Sequence, residues 1–305
     1  VPSARTDLQD AVIEWFALEA RDLPWRRPGF SPWGTLVSEI MLQQTPVVRV
    51  VPRLAEWLER WPEPRDLAAD APGEAVRMWR SLGYPRRALR LHACAVAIVE
   101  RFDGRVPDDV EDLLSLPGIG DYTARAVAVF AYGRRAPVVD TNVRRVIARA
   151  VEGAPDAAAP SARRDLAAMD ALLPADVVDS TRFNAGMMEL GALTCTARSP
   201  RCETCPVATV CAWRRRGYPE DEVARRPVQK RYEGSDRQAR GILLAAVRDA
   251  DAPVGEAALR LALPDVARFG RALDGLLTDG LLEQAPDGRF QLPGLAQSSS
   301  SSSSA

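Results

Sequence analysis

Four of the chain's five cysteines crowd into one short segment, spaced Cys195-x6-Cys202-x2-Cys205-x5-Cys211. An odd total suits no disulfide framework, and thiols gathered this closely read as metal ligands in a reducing compartment. Four thiolates in one loop-rich segment can close around an iron–sulfur cubane, whereas a structural zinc ribbon pairs its ligands as two short knuckles. The spacing follows neither common ferredoxin pattern, so cluster, zinc and unligated thiols stay open on spacing alone. Cys94, isolated on an apolar stretch, reads as a core residue.

Acid–base chemistry must come from elsewhere. His92 is the only histidine, which excludes a serine triad, a two-histidine zinc site and a histidine facial triad. Carboxylates, tyrosines or lysines remain. Glu39 lies in SEIMLQQT (38–45), a mostly apolar helical stretch where desolvation raises a carboxyl pKa and lets it hold a proton near neutrality. Asp140 follows Pro137-Val138-Val139 and precedes Thr141-Asn142, where the ordinary reading is a helix cap. Between these acids, Leu116-Pro117-Gly118-Ile119-Gly120 separates helices expected at 109–116 and 121–132. Its glycines permit close approach to a phosphate, and the following helix start offers free N–H groups to an anion, as in a helix-hairpin-helix.

The elements that must position these groups are helical. Up to about Tyr218 the sequence reads as helices broken by Pro/Gly turns, with Leu54, Trp57 and Leu58, and again Leu89, Cys94, Ile98 and Val99, recurring at helical spacing. Residues 219–235 are polar and charged, as in a linker. From 236 to 292 three short helices follow: a face of Ile242, Leu243, Ala246 and Val247, a helix at 256–263, and a face of Val266, Phe269, Leu273, Leu276 and Leu277. Pro286-Asp287-Gly288 then suits the turn of a β-hairpin, which makes the piece winged-helix-like, with Arg268 and Arg271 as the main cations of its third helix. A Ser-rich tail near the end reads as disordered or non-native.

A length of 305 residues at 47% hydrophobic content supports a real core. Neither a leader segment nor a run long enough for membrane insertion is evident, so a cytoplasmic protein is expected. Net charge is only −1, but Arg134, Arg135, Arg144, Arg145 and Arg149 face the single acid Asp140 within 134–149, and residues 196–231 hold nine basic against four acidic residues. Such clusters suit phosphate neutralisation or a solvated helix face.

Residues 23–213 resemble the MutY family of adenine DNA glycosylases, within the helix-hairpin-helix superfamily that includes endonuclease III. The strings that carry the resemblance are LPWRR (23–27), SEIMLQQT (38–45), LGY (82–84), LPGIGDYTA (116–124), VVDTNVRRV (138–146), FNAGMMELGA (183–192) and the cysteine loop. The resemblance implies a mainly α fold: a helix-hairpin-helix glycosylase core over 1–218, with a six-helix part at about 26–134 and an iron–sulfur part from the N-terminal helix and about 135–218. A linker (219–235), the winged-helix-like domain (236–295) and the tail (296–305) complete the organisation. It implies a [4Fe–4S] cluster on Cys195, Cys202, Cys205 and Cys211, and, as partner, duplex DNA bearing a mismatch or 8-oxoguanine. A monomer is expected, in the cytoplasm and nucleoid-associated if bacterial.

By the same resemblance Glu39 protonates adenine at N7, ionised Asp140 stabilises the oxocarbenium ion, and Asn142 positions its surroundings. Gln43 and Tyr84 fill or wedge the DNA helix beside Gln44 and Thr45, Arg26 matches a pocket residue, and Leu116, Gly118 and Gly120 bring the hairpin to the backbone. Four departures stand out: Thr141 where glycine is usual, Pro85 in place of a second tyrosine, Asp121 in place of a basic residue, and a short helical C-terminal unit where a Nudix-like domain is typical. Alternatives are a thymine-mismatch or oxidised-pyrimidine glycosylase on the same scaffold, or a non-catalytic iron–sulfur DNA-binding regulator. Tyr122 stands where bifunctional relatives carry a Schiff-base lysine, which implies a pocket-lining role and a monofunctional, water-using enzyme. Borohydride treatment of a reacting mixture is therefore expected to trap no covalent protein–DNA adduct; efficient trapping would overturn the monofunctional assignment.

Overall fold

Prolines set several helix starts in the computed structural model, which describes residues 4–219 and 232–295. Pro64 and Pro72 occupy first-turn positions where their missing N–H costs nothing, and Pro46 is an N-cap. The helices are α1 (Ala4–Glu19), α2 (Pro32–Leu42), α3 (Val47–Arg60), α4 (Pro64–Ala69), α5 (Pro72–Trp79), α6 (Arg86–Phe102), α7 (Val110–Leu114) and α8 (Asp121–Tyr132). Then come α9 (Thr141–Ile147), continued by a π-helical turn at Ala148–Glu152, α10 (Ala162–Asp170), α11 (Val177–Leu193) and α12 (Ala212–Arg215). The C-terminal piece holds α13 (Asp236–Arg248), α14 (Glu256–Ala262), α15 (Val266–Thr278) and strands β1 (Glu283–Gln284) and β2 (Phe290–Gln291).

Contacts divide the chain into two units. One comprises Val1–Leu36, Asp108–Leu114 and Ile119–Pro227. In it α1 lies along α11 over a core of Leu8, Val12, Val143, Val146, Phe183, Met187 and Leu190. Gly186 permits that approach, because a Cβ there would stand 2.6 Å from Val12 Cγ1.

The other unit comprises Val37–Pro107, Ser115–Gly118 and Val228–Ala305. Its centre is aromatic: Trp57 meets Trp61 and Trp79 edge-to-face at centroid distances of 4.6 and 5.6 Å. Helix α6 turns Leu91, Cys94, Ala95 and Ile98 inward. Cys94 is the core residue expected, and burial pushes its thiol up to about 12. Val99, expected on the same face, is exposed, because the buried stripe runs through Leu91 and Ala95 instead.

Three helices and a hairpin form at 236–292 as expected, with Glu283 opposite Gln291 and Gln284 opposite Phe290. A bridge from Val254 to Phe290 adds a third edge. On α13 Leu243 and Val247 are buried as expected, with Ala239 and Leu244 beside them where Ile242 and Ala246 were expected; on α15 Phe269, Leu273 and Leu276 are buried as expected, joined by Ala272, while Val266 is exposed. The piece belongs to the same unit as α5, and is tied to it. Gly73 N donates to Pro293 O at 2.8 Å, Arg77 reaches the carbonyls of Arg248 and Ala250, and Arg86 pairs with Asp279 at 3.1 Å. Most of the linker expected at 219–235, and the whole tail at 296–305, lie outside the described residues. No helix among the described residues is long and apolar enough to cross a membrane.

Gly73 tests that docking. A Cβ at this position would meet Pro293 O at 2.6 Å and Leu292 Cβ at 2.9 Å. Helix propensity favours alanine over glycine by roughly 1 kcal/mol, but overpacking against a backbone carbonyl costs about 1–3 kcal/mol. Gly73→Ala should therefore lower the thermal midpoint by a few degrees and speed proteolysis within 236–294; an unchanged midpoint and cleavage pattern would show that the contact is soft.

Candidate functional site

Asp140 is the N-cap of α9. Its Oδ1 accepts from the backbone N–H groups of Asn142 (2.8 Å) and Val143 (2.7 Å), and its Oδ2 accepts from Asn142 Nδ2 at 2.8 Å. Aspartate is favoured there because its carboxylate satisfies donors that the first helical turn cannot. The segment leading in is fixed by Asn184 of α11, whose Oδ1 accepts from Val138 N (2.8 Å) while its Nδ2 donates to Ala136 O (3.1 Å). Burial pushes the Asp140 carboxyl above the ordinary aspartate range; the bonds from Val143 and Asn142, and the charge of Arg145, hold it back only in part. Net, it is a desolvated carboxyl with its orientation fixed.

Arg145 continues the chain of contacts. It is buried, donating from Nη2 to Asn142 Oδ1 (2.8 Å) and Gly191 O (2.7 Å) and from Nε to Cys195 O (2.8 Å). Arg149, one turn on, donates to Thr196 O at 2.7 Å and reaches Cys195 Sγ at 3.5 Å, with its guanidinium 4.9 Å from the Trp213 ring centroid. Cys195, Cys202, Cys205 and Cys211 line one cavity, walled by Val146, Leu190 and Trp213 among others. Burial pushes the thiols of Cys195 and Cys205 up, Cys205 to about 11, so thiolates here need a cationic centre to hold them. Among the described residues no three His, Cys, Asp or Glu side chains are grouped as around one metal ion. Four thiols lining one cavity, with Arg149 at Cys195 Sγ and Arg145 at the Cys195 carbonyl, are the donor set that an iron–sulfur cluster takes, although they are not drawn together as around one ion.

The hairpin divides by side chain. Leu116 and Ile119 are buried and anchor it; Pro117, Gly118 and Gly120 are exposed. Leu116, expected at the DNA, can therefore offer only its main chain. Gly118 has φ +79°, and a Cβ on it would stand 2.8 Å from Arg90 Cβ. Gly120, the N-cap of α8, has open space where a Cβ would be and caps no N–H with a side chain, which leaves room for an oxyanion. Tyr122, on the first turn of α8, is half-buried against Ala126, Val129, Ala136 and Val138.

Glu39 is 4% exposed on α2, among buried Leu36, Val37, Ile40 and Met41. Gln43 and Gln44 follow the helix, Gln44 with φ 58°. Thr45, expected beside the DNA, is instead buried: its hydroxyl donates to Leu82 O at 3.1 Å and accepts from Arg87. Tyr84 is 48% exposed with φ 46°. Arg26 is engaged within the protein rather than offered to a pocket. It pairs with buried Glu189 at 3.0 Å, as Arg21 does at 2.6 Å, and although burial alone would push Glu189 up, the two arginines hold it down at about 2.

The basic cluster at 134–149 is divided between ion pairs, those of Arg134 and Arg135 at the surface, and buried guanidiniums. Arg134 pairs with Asp108, Arg135 with Asp170 and Arg144 with Asp165, while Arg145 and Arg149 are buried. The second cluster, 196–231, lies partly outside the described residues. The supporting roles of Arg87, Arg145, Arg149, Asn184 and Glu189 are not legible in the sequence; a polar residue inside an otherwise apolar helical stripe is the only signal it offers.

Residues 37–167 match the family model described as HhH-GPD superfamily base excision DNA repair protein, and residues 195–211 match the iron-sulfur binding domain of endonuclease III. The chain is 57% identical over 284 residues to an adenine DNA glycosylase of Mycolicibacterium smegmatis, covering 93% of this chain and 95% of that one. It is 53% identical to an adenine DNA glycosylase of Mycobacterium tuberculosis, covering 93% and 92%. Among solved structures, a thermostable thymine-DNA glycosylase superposes with a TM-score of 0.63 at 27% identity, covering 70% of this chain and 97% of that one.

Asp140 yields a stability test. Its folded pKa is raised, so folding favours the protonated form; that contribution is complete below the ordinary aspartate pKa and is lost as pH rises through the raised value. Asp140→Asn keeps a competent N-cap and removes the buried charge. Its thermal midpoint at pH 7 should equal or exceed that of the wild type, with the difference shrinking toward pH 4.5. A clearly lower midpoint at pH 7 would mean that the charged hydrogen bonds outweigh desolvation.

Proposed function

Because the chain belongs to the adenine DNA glycosylases of the helix-hairpin-helix superfamily, we propose that it hydrolyses the N-glycosidic bond of adenine opposite 8-oxoguanine or guanine in duplex DNA. The observation that carries the chemistry is Asp140, a carboxyl held by three hydrogen bonds yet removed from water. A glycosidic bond that breaks to a sugar cation needs a fixed negative charge nearby, and a fixed charge acts more strongly where water is excluded. In its ionised form Asp140 supplies it. Glu39, buried on an apolar helix, donates the proton that turns adenine into a leaving group. Asn142 donates to Asp140 and accepts from Arg145, which fixes the carboxyl's orientation.

Tyr122 lines the base pocket and offers no amine. The chain's single lysine is Lys230, which lies outside the described residues, and this scarcity supports a monofunctional reaction in which water takes the sugar carbon. Gln43, Gln44 and Tyr84 act on the duplex where the base leaves the stack, and Gly118 and Gly120 meet the backbone. Cys195, Cys202, Cys205 and Cys211, which line one cavity within the iron–sulfur match, would hold the [4Fe–4S] cluster. Bound there, it would serve to fix the loop whose Cys195 carbonyl accepts from Arg145. The protein is read as a cytoplasmic monomer working at the chromosome.

Single-turnover incubation with duplexes bearing A opposite 8-oxoguanine, A opposite G and T opposite G, followed by alkali, tests the reading. Strand breaks are expected with the two adenine substrates; breaks confined to T opposite G would replace adenine by thymine as the base. Glu39→Gln and Asp140→Asn should each lower the adenine rate by roughly 10²–10⁴-fold, and retained activity in both would remove them from the mechanism. The rate should fall on the acid side at a pH above the ordinary aspartate range, because Asp140 must be ionised and burial raises its pKa. Arg145→Met removes a charge that lowers that pKa, so the acid limb should move further up.

A further inference from the structure

Arg87, in the first turn of α6, is buried with its guanidinium between two turns of the chain. From Nη1 it donates to Ile40 O (2.8 Å), Met41 O (3.0 Å) and Gln43 O (2.6 Å), carbonyls at and just beyond the end of α2. From Nη2 it donates to Thr45 Oγ1 (2.9 Å), Gly83 O (2.9 Å) and Leu82 O (3.3 Å). These acceptors are five carbonyls and a hydroxyl. Burial without a carboxylate among them depresses its pKa to about 10. Such an arrangement is a costly way to fill space, since an apolar side chain would pack there without desolvating a charge.

The two turns it joins are strained. Gln44 (φ 58°), Arg80 (φ 45°) and Tyr84 (φ 46°) all hold left-handed backbone without being glycine. Conformations of this kind persist only where the surroundings over-determine them. Here the surroundings are Arg87, the bond from Thr45 Oγ1 to Leu82 O (3.1 Å), the bond from Trp79 Nε1 to Gly83 O (2.9 Å) and a bond from Arg49 to Ser81 O. The guanidinium also stands 5.6 Å from the Tyr84 ring centroid and 5.1 Å from that of Trp79.

We propose that Arg87 is a positioning residue that locks the turns carrying Gln43 and Tyr84 into one rigid wedge, so that extrusion of the target base, and not cleavage of its glycosidic bond, depends on it. This rests on the adenine-glycosylase reading, which assigns Gln43 and Tyr84 to the DNA. Prising a base from the stack requires side chains that do not yield when the duplex pushes back. Tyr84, half exposed and held from behind by a buried cation, meets that need as one body with the Gln43 turn.

The test uses full-length holoenzyme, the variant Arg87→Lys and two duplexes. Lysine keeps the charge, but a single ammonium cannot span two turns as the guanidinium fork does. The first duplex carries 2-aminopurine on a 2′-fluoro sugar at the target position opposite guanine; the fluorine disfavours the sugar cation and blocks cleavage, so emission reports unstacking alone. The second carries adenine opposite an abasic-site analogue, where little opposes extrusion. Arg87→Lys should slow the emission rise, and excision of adenine opposite guanine, by about tenfold or more, while excision opposite the abasic analogue stays within about threefold of the wild type. Equal losses on both adenine substrates, or an unchanged emission rise, would overturn the proposal. Should Arg87→Lys fail to fold, Thr45→Val, which cuts two of the same links, takes its place: the same selective slowing is expected, and the same two results would overturn the proposal. A wild type that excises adenine from neither substrate would sink the assigned reaction, and the emission rise would still decide whether Arg87 governs unstacking.

Discussion

Holding the Asp140 carboxyl out of water is the constraint around which much of this protein is arranged. Desolvation alone favours the neutral acid, and the chain opposes it with every donor within reach: two N–H groups of the α9 first turn, the Asn142 amide and, one step removed, Arg145. Each of those donors must itself be held. The α9 start is held by Asn184 through the 136–138 segment, and Arg145 by the carbonyls of Gly191 and Cys195. A single buried charge therefore ties together α9, α11 and the start of the cysteine loop.

A common device recurs through both units: a guanidinium buried against carbonyl oxygens. Arg145 and Arg149 fasten the start of the cysteine loop, and Arg87 fastens the two turns after α2 and before α6. Its planar fork can reach several acceptors at once from one stem, which a lysine cannot. The chain's near-zero net charge has a counterpart in the fold, since many of its arginines face a carboxylate and do not form an open basic surface.

The C-terminal piece has winged-helix elements, and the two cations of its third helix are held in ion pairs. Arg268 is paired with Asp265 at 2.8 Å and Arg271 with Asp236 at 3.1 Å, so the cations of α15 are neutralised inside their own piece. Its carbonyls and Asp279 are instead used on Arg77 and Arg86 of α5 and α6. The match to the M. smegmatis protein is too long to leave this piece out, so the two chains share it.

Sequence alone determined whatever depends on local pattern. The four-cysteine spacing, the helix at 121–132, the hairpin glycines, the core position of Cys94 and the three helices with a hairpin at 236–292 were all legible, because each follows from spacing, turn chemistry or helical period within a few residues. Resemblance, not periodicity, singled out Glu39 and Asp140. What only the tertiary structure decided was the use made of polar groups. Thr45 and Leu116 turn inward, Arg26 is taken up by Glu189, the cations of 134–149 find partners far along the chain, and Arg87 becomes a latch. The physical reason is that a buried donor is defined by its acceptors, which lie far off in sequence, 50 residues away between Arg145 and Cys195. No window of sequence brings such partners together until the chain has folded.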